Sequence, residues 1–297
     1  MHLVAEREGV VVQEDSLQDK FLEWMYTHKA GRVILRPLIS PAVSRLGGRL
    51  LDSKVSRFLV APFIRSHSID MSRYEKRRYL SYNDFFTRRL IAGGRAIEKQ
   101  PDKFISPCDG RLGVYEINGL PTFSVKHGRY TVSSLLRNRK LADRYAGGYI
   151  WIFRLCVEDY HRYIYVDNGK VSKSFRILGV FHTVNPAACD RFPVYKENTR
   201  EYSVLKSENF GEIVQMEVGA MLVGRIENHP GETYVKRGQE KGNFAFGGST
   251  VILITRAGRV KPDKDILDNS ARGIETRVKL GERIGEKICG DNNPDGI

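Results

Sequence analysis

A serine that follows two glycines is the residue best placed to do chemistry in this sequence. The segment Phe246-Gly247-Gly248-Ser249-Thr250 precedes the apolar run VILIT, so Ser249 opens a predicted β-strand. Gly248 leaves little steric hindrance at its carbonyl carbon and a wide choice of backbone angles. A serine hydroxyl held against that carbonyl could convert the peptide bond into an ester. An isolated Gly-Gly-Ser-Thr is more often a turn before a strand, so this chemistry needs support from other residues.

Removal of the α-proton of Ser249 would then eliminate the ester and cut the chain between Gly248 and Ser249. Hydrolysis of the resulting dehydroalanine would leave a pyruvoyl group, which carries a ketone, at the new amino terminus. Because serine is a weak nucleophile at its own pKa, the attack requires a neighbouring base, for which a histidine oriented by a carboxylate is the expected choice. The chain must therefore supply an imidazole and a carboxylate close to this serine.

Asp109 and His161 are the candidates for the carboxylate and the base. Asp109 lies in SPCDGRL, a predicted turn in which Gly110 permits a sharp bend and leaves the carboxylate exposed. His161 lies in EDYHRYIYVDNG, where Asp159 and Arg162 form a polar island within an aromatic and apolar run. Either candidate could instead serve the fold alone, Asp109 by capping its own turn and His161 as a satisfied strand residue.

The cysteines give no support for metal chemistry. No two of them are spaced as a CxxC pair, so we predict neither a metal site nor a disulfide framework, and a reducing cytoplasm fits best. The four cysteines are Cys108, Cys156, Cys189 and Cys289.

The first part of the chain predicts short amphipathic helices. From Ser16 to Arg65, apolar residues recur at spacings of three to five. The residues that define this stripe are Leu46, Leu50, Val55, Phe58 and Leu59. Eight basic residues and one acid occupy positions 29–65, a composition typical of helices that bind anionic lipid. The stripe could equally pack on the protein's own core, and the sequence does not choose between the two.

A second helical stretch is predicted from Ser72 to Leu90. Ser81 or Asn83 would cap it, because short polar side chains accept hydrogen bonds from the free N–H groups at a helix start. No long Ser- or Pro-rich linker follows, so we expect the helices to pack onto the rest of the protein.

Beyond Pro101 the pattern becomes that of β-structure, with short runs rich in Val, Ile, Tyr and Phe between Gly, Asn and Asp turns. GETYVKRGQEKG (231–242) and IETRVKLGERIG (274–285) share five residue types in register and predict two related strand-turn-strand units. We therefore predict an α+β fold. Basic amphipathic helices in a membrane-surface region, 1–95, would pack on a mainly antiparallel, barrel- or sandwich-like catalytic domain, 96–297.

The formal charge of +13 predicts an anionic partner, which leaves nucleic acid, an acidic lipid surface and acidic small molecules open. The basic residues are spread along the chain without a recognition motif or an aromatic stacking platform, so we do not predict nucleic-acid binding. No run approaches the roughly 18 apolar residues that a spanning helix needs. The start MHLVAEREGVVVQEDS does not resemble a signal peptide, so we expect any contact with a membrane to be peripheral.

Seven segments together resemble the phosphatidylserine decarboxylases, pyruvoyl-dependent enzymes that are made as inactive proenzymes. The resemblance is colinear from about Asp70 to Thr255, and such an ordered set is far more specific than any single piece. The segments are NDFFTRRL, SPCDGRL, VKHGRYTVSSLL, EDYHRY, FHTVNP, MEVGAMLVGRI and KRGQEKGNFAFGGST.

The resemblance implies roles for the candidate residues. Ser249 would become the covalent pyruvoyl cofactor, Gly248 would end the larger chain, and Asp109 would be the carboxylate of the charge relay. The chain departs from the family's DYHRxH pattern, because Ile164 stands where the second histidine acts as the base for processing. An isoleucine cannot accept a proton.

Three histidines could fill this gap. We favour His161 serving in both processing and decarboxylation, because the other segments of the pattern are intact. His182 in VFHTVNP is the second choice, although it could simply cap a turn. His127 in VKHG is the third, because its basic neighbours indicate a surface turn.

The resemblance also implies an activity and a location. The enzyme would convert phosphatidylserine to phosphatidylethanolamine and carbon dioxide, with the pyruvoyl group as electron sink and His161 as general acid. It would lie peripherally on an anionic phospholipid surface, at the cytoplasmic face of the cell membrane. Its cleaved chains, 1–248 and 249–297, would form a heterodimer, and a homo-oligomer is also allowed. Another amine-bearing substrate, or an unprocessed lipid-binding relative, remains as an alternative.

Overall fold

A large sheet and the helices around it make up most of the protein, whose structure is a computed structural model. Two smaller three-stranded sheets accompany the large sheet. The structure describes residues 3–13, 17–125, 128–185, 188, 193–221, 225–229, 231, 233–245 and 249–288.

Short helices form in the amino-terminal part of the chain, and the prediction that they are basic, amphipathic and membrane-binding stays a prediction. Pro41 begins α3, where it needs no partner for its missing N–H, and the Ser40 hydroxyl accepts a hydrogen bond from the N–H of Ala42 at 3.2 Å. Within the described residues, no helix has both the length and the apolar character to cross a bilayer. The helices are α1 (Leu17–Thr27), α2 (Lys29–Leu38), α3 (Pro41–Asp52), a 3₁₀ helix (Lys54–Leu59) and α4 (Val60–Ser66).

The second predicted helical stretch is mostly not helical. Only α5 (Tyr82–Phe86) forms, and Ser81 caps it by accepting a hydrogen bond from the N–H of Asp84. The flanking residues pair with each other instead, since Tyr74 and Leu90 form an antiparallel bridge. This backbone pairing replaces the helical hydrogen bonds that the sequence pattern predicts.

Nineteen short strands occur in the described residues, and they are numbered here in chain order. They are β1 (Leu3–Ala5), β2 (Val11–Gln13), β3 (Lys103–Ile105), β4 (Gly110–Glu116), β5 (Thr122–Val125), β6 (Gly128–Thr131), β7 (Tyr149–Leu155), β8 (Arg162–Ile164), β9 (Gly169–Val171), β10 (Phe175–Ile177), β11 (Arg200–Ser207), β12 (Gly211–Gly219), β13 (Ile226–Asn228), β14 (Tyr234–Val235), β15 (Glu240–Phe244), β16 (Ser249–Thr255), β17 (Val260–Pro262), β18 (Glu275–Val278) and β19 (Arg283–Lys287). The other helices are α6 (Val132–Leu136) and α7 (Arg139–Ala142), with further helices at Val194–Glu197 and Lys264–Ala271 and 3₁₀ turns at Met71–Arg73 and Asp143–Tyr145.

The large sheet has the order β14-β9-β11-β12-β16-β7-β4-β18-β1-β2, with β10 paired to β11. Its pairs are antiparallel except for β1 and β18, so the predicted α+β class with a mainly antiparallel sheet is confirmed. The predicted barrel is wrong, because the described strands do not close on one another. The sequence pattern predicts neither β1 nor β2, and the division at residue 95 stays a prediction.

The central strands are buried on both faces. On one face, Ile152 and Ile254 belong to an apolar cluster that includes Met25 of α1. On the other face, Phe153 and Leu253 belong to a second cluster, which the sheets β13-β15-β8 and β17-β19-β3 help to form. Each face therefore finds cover in other elements, and no barrel interior is needed to bury it.

The predicted pair of related units is visible as β14-turn-β15 and β18-turn-β19. Gly238 and Gly281 occupy equivalent turn positions with φ of +80° and +81°, a conformation that favours glycine. A Cβ on either glycine would lie within 2.9 Å of a side-chain atom of Ile97. The two turns therefore close around one side chain, which explains why both copies keep glycine there.

Candidate functional site

The candidate site lies at one end of the large sheet, where four neighbouring strands begin or end. Ser249, the first residue of β16, pairs with Leu155 at the end of β7 and with Gly219 at the end of β12. Gly110 begins β4 on the other side of β7, and a Cβ on it would lie only 2.9 Å from the carbonyl oxygen of Arg154. The antiparallel order thus brings Ser249 and the Asp109 turn to the same edge.

The Ser249 side chain is fully buried. Its Oγ has no hydrogen-bond partner among the described residues. Strand alternation places it on the face of Val251 and Leu253, which β8 and β15 cover. Leaving a buried hydroxyl unpaired costs about 1–3 kcal/mol. Gly248, the other residue of the predicted cleavage site, lies outside the described residues.

The Asp109 carboxylate is buried rather than exposed as the sequence predicts. Arg95 donates to both of its oxygens, from Nη2 at 2.7 Å and from Nε at 3.4 Å, and the N–H of Leu280 donates at 2.8 Å. The turn is therefore anchored to the segment after β18 instead of facing solvent. Arg95 is a site residue that sequence reasoning missed, because nothing local marks the pairing of residues 14 positions apart.

His161 has the environment expected of a base that is kept neutral. Its ring is fully buried and lies against Phe86, with the ring centroids 4.0 Å apart. Neither ring nitrogen has a hydrogen-bond partner among the described residues. Burial lowers the pKa of His161 well below its ordinary value of 6.5, the positive charge of Arg88 lowers it further, and the Asp109 carboxylate opposes both. Asp109 therefore acts on His161 across the site.

The loop that carries His161 is held firmly in place. The Asp159 carboxylate accepts hydrogen bonds from Arg111 at 2.5 Å and from the N–H of Cys156 at 2.8 Å. The His161 carbonyl accepts from the N–H of Phe244 at 2.9 Å, at the end of β15. Phe244 precedes Ser249 by five residues, so the base and the nucleophile are tied to the same part of the chain.

Ile164 lies beside the turn that carries Asp109. Its N–H donates to the carbonyl of Pro107 at 2.9 Å, and its own carbonyl accepts from the Gln215 side chain at 3.2 Å. The side chain is buried within an apolar cluster. Isoleucine is therefore accommodated by packing at the position where the family pattern has a second histidine, and it supplies no proton acceptor.

His182 is engaged in contacts on the other side of the sheet. Its Nδ1 lies 3.1 Å from the Tyr26 hydroxyl, and its Nε2 lies 3.5 Å from a carboxylate oxygen of Glu197. Tyr26 belongs to the cluster opposite the Ser249 face. His182 therefore fits a structural role better than that of the base. His127 lies outside the described residues.

Cys156, Glu158 and Asp159 are the described residues that come near one another in the manner of metal ligands. Arg111 already forms ion pairs with both carboxylates, at 2.8 Å to Glu158 and 2.5 Å to Asp159. Burial raises the pKa of the Cys156 thiol to about 12, which disfavours the thiolate that a metal needs. The group is therefore better described as an ion-pair network.

The lowered pKa of His161 predicts a pH-dependent stability. Below about pH 6.5 the unfolded chain binds a proton at this residue that the folded chain does not. The free energy of unfolding therefore decreases as the pH is lowered. The slope is at most about 1.4 kcal/mol per pH unit, and it ends at the lowered pKa. Denaturant unfolding between pH 7.5 and 5 should show a weaker pH dependence for His161→Gln than for its parent, both carrying Ser249→Ala so that neither chain is cut. Equal slopes would contradict the assignment.

The parts of the chain that match known proteins include Asp109, His161 and Ser249. The family model for phosphatidylserine decarboxylase matches residues 82–286. Phosphatidylserine decarboxylase proenzyme 2 of Clostridium acetobutylicum is 44% identical over 277 residues, 93% of this chain and 95% of the relative. The phosphatidylserine decarboxylase proenzyme of Clostridium tetani is 40% identical over 276 residues, 91% of this chain and 93% of the relative. That of Ruminiclostridium cellulolyticum is also 40% identical over 276 residues, covering 91% and 92%.

Proposed function

Because the chain belongs to the phosphatidylserine decarboxylase family, we propose that it is a proenzyme that cuts itself between Gly248 and Ser249 and then decarboxylates phosphatidylserine to phosphatidylethanolamine. The observation that carries this proposal is the Ser249 hydroxyl, buried without a partner on the face of the sheet that β8 and β15 cover. The family match, residues 82–286, includes Ser249.

Processing begins at the Ser249 hydroxyl. As its Oγ bonds to the carbonyl carbon of Gly248, the neutral His161 imidazole takes the hydroxyl proton. The Asp109 carboxylate stabilises the imidazolium that forms, and Arg95 and the N–H of Leu280 hold that carboxylate in place. His161 is thus the single histidine that takes up the proton, because Ile164 cannot accept one.

The residues around Ser249 fit the pyruvoyl group that this processing would leave. Hydrogen-bonded pairing to Leu155 and Gly219 fixes the backbone at this position. The pyruvoyl group supplies an electrophilic ketone for the substrate amine and an electron sink for the bond that breaks. His161, protonated during the cycle, delivers a proton to the α-carbon that has lost its carboxylate.

The cleaved chains, 1–248 and 249–297, would remain together as a heterodimer. In the sheet, β16 lies between β12 and β7, and β18 lies between β4 and β1. The smaller chain therefore pairs on both sides of these strands with the larger one. A homo-oligomer stays a prediction.

The exposed stripe on the amino-terminal helices supports docking to a membrane. Leu46, Leu50, Val55 and Phe58 are between 59% and 75% exposed, so they do not pack on the protein's own core. Basic side chains lie exposed beside them on the same elements. These are Arg45, Arg49, Lys54 and Arg57. An apolar stripe flanked by cations suits an anionic lipid surface, and we place the enzyme peripherally at the cytoplasmic face.

Removing this stripe should weaken membrane binding. We expect the triple variant Leu50→Ser, Val55→Ser and Phe58→Ser to bind phosphatidylserine-containing vesicles roughly 100-fold more weakly, since half-burial of three such side chains is worth about 2–4 kcal/mol. Co-sedimentation with vesicles measures the effect. Point substitutions are preferable to deleting the region, because β1 pairs with β18 within the sheet.

A matched control for the stripe uses exposed leucines elsewhere. Leu120 and Leu178 are 81% and 73% exposed and lie outside the amino-terminal helices. Changing both to serine should leave vesicle binding unaltered. Equal binding by the stripe variant and its parent, with both folded, would overturn the membrane assignment.

The activity itself is tested by supplying phosphatidylserine in mixed micelles to the purified, processed protein and measuring phosphatidylethanolamine and carbon dioxide. Free serine and another serine phospholipid are assayed in parallel, because either is a candidate alternative substrate. We expect phosphatidylserine to be decarboxylated and free serine not to be. Turnover of free serine alone would replace the proposed substrate.

A further inference from the structure

Arg88 is a buried cation whose hydrogen-bonding capacity is only partly used. Its side chain is fully buried, and its Nη2 donates to the carbonyls of Glu158 at 3.0 Å and Asp159 at 3.2 Å and lies 3.5 Å from the Tyr74 hydroxyl. Its Nε and Nη1 have no partner among the described residues. No carboxylate among those residues forms an ion pair with it. The edge of the guanidinium formed by Nε and Nη1, called the free edge below, is therefore without a partner among the described residues.

Other buried arginines in the protein are better satisfied. Arg95, Arg111 and Arg154 form ion pairs with carboxylates at 2.5–2.7 Å. Arg200 has no such pair, but its Nε, Nη1 and Nη2 all donate to backbone carbonyls. A buried charge left without a counter-charge is costly, and the rings of two neighbouring aromatic residues offset only part of that cost. Holding a loop would not require a free edge, whereas binding an anion would.

The free edge belongs to the active site. Arg88 follows α5, whose Phe86 lies against the His161 ring, and its positive charge acts on His161 directly. Its Nη2 bonds hold the loop that leads into His161. On the other side, α5 contacts α3 and the 3₁₀ helix that carry the exposed apolar stripe. Arg88 thus lies between the lipid-facing helices and the base.

We propose that Arg88 binds the phosphodiester of the lipid substrate, an inference that rests on phosphatidylserine being that substrate. Only an oxygen and a methylene separate the phosphorus from the α-carbon of the serine head group, so the phosphodiester must lie close to the reacting centre. A guanidinium edge matches two phosphate oxygens at once.

The substrate carboxylate is the less suitable occupant. Its charge disappears as carbon dioxide leaves, so a cation paired with it would stabilise the substrate more than the transition state and slow the reaction. The phosphodiester keeps its charge throughout. Binding it contributes to substrate affinity without opposing the loss of carbon dioxide.

The test compares Arg88→Met with Arg89→Met, the exposed neighbour, after mass analysis has shown that both proteins are processed. Two substrates are assayed, phosphatidylserine and an O-alkyl serine ether that has the amine, the carboxylate and an apolar tail but no phosphodiester. We expect Arg88→Met to lose about 10- to 100-fold in kcat/KM on phosphatidylserine, mainly through KM, and less than about twofold on the ether. Inhibition by phosphatidylethanolamine should weaken by a similar factor, and Arg89→Met should resemble the parent.

Other outcomes would overturn the proposal. An equal loss on both substrates, with unchanged inhibition by phosphatidylethanolamine, would mean that Arg88 binds the carboxylate or only holds the loop. No loss on either substrate would exclude a binding role. If Arg88→Met fails to fold, Arg88→Lys keeps the charge without the fork, and a loss confined to phosphatidylserine again supports the proposal, whereas an equal loss opposes it. A parent protein inactive on phosphatidylserine would instead refute the proposed function.

Discussion

Replacing Ser249 by alanine is expected to leave one uncut chain of 33.8 kDa without decarboxylase activity. In the proposed mechanism the hydroxyl is the nucleophile, and among the described residues no other hydroxyl shares its position at the start of β16 on that face of the sheet. Intact-mass analysis under denaturing conditions measures the result. The parent protein should give a fragment, 249–297, that is about 17 Da lighter than its serine form, because ammonia is lost when the pyruvoyl group forms.

Thr250 provides a matched control for this experiment. It is the next residue of β16, is fully buried, and also has a hydroxyl without a partner among the described residues. Strand alternation places it on the opposite face of the sheet. Thr250→Val should therefore be cut normally. Cleavage of Ser249→Ala would remove Ser249 as the nucleophile, and an uncut parent chain would favour the unprocessed lipid-binding alternative that Ile164 raises.

Replacing His161 by glutamine should slow both self-cleavage and decarboxylation by at least about 100-fold, since glutamine keeps the shape of the side chain but cannot take up the proton. The time course of cleavage, followed by mass, and the decarboxylation assay measure the two steps. Thermal unfolding of the uncut protein confirms that the variant is folded. Because an uncut chain has no pyruvoyl group, the decarboxylation rate is expressed per cut chain, and a loss in both rates would then show that one histidine does the work of the family's two.

His182→Gln is the control for that substitution. The contacts of His182 with Tyr26 and Glu197 are structural, so this variant should be cut and should turn over at close to the parent rate. The opposite ranking, with His182→Gln inactive and His161→Gln cut normally, would assign the base to His182.

Local sequence patterns predicted the elements that depend on local forces. Turn residues and apolar runs identify the β-rich character of the chain beyond Pro101, and apolar spacing indicates short helices in the region of α1 to α4. The start of β16 at Ser249 follows from the same reasoning. Pairings between distant residues were not predictable in this way. β1 pairs with β18, some 270 positions along the chain, and only the folded sheet brings the two together.

The site shows the same division. Ser249, His161 and Asp109 were candidates because of their residue types, and the structure places Ser249 and the Asp109 turn at the same end of the large sheet. The burial of Asp109 and its pairing with Arg95 depend on tertiary contacts. The stripe on α3 and the 3₁₀ helix was ambiguous, because an apolar face is equally compatible with a protein core and with lipid. The exposure of its side chains supports the proposed lipid contact.

The position of β16 determines whether the cut protein can refold. Once the bond before Ser249 is cut, a central strand of the sheet belongs to a separate chain of 49 residues, held by neighbours on both sides. The buried apolar side chains of its described strands, β16 to β19, pack in clusters shared with the larger chain. We therefore expect that the two chains do not reassemble after denaturation and that separately made fragments do not combine. The lifetime of the enzyme is then set by its rate of unfolding rather than by an unfolding equilibrium. Each molecule can fold only once, because a cut chain that has unfolded does not refold.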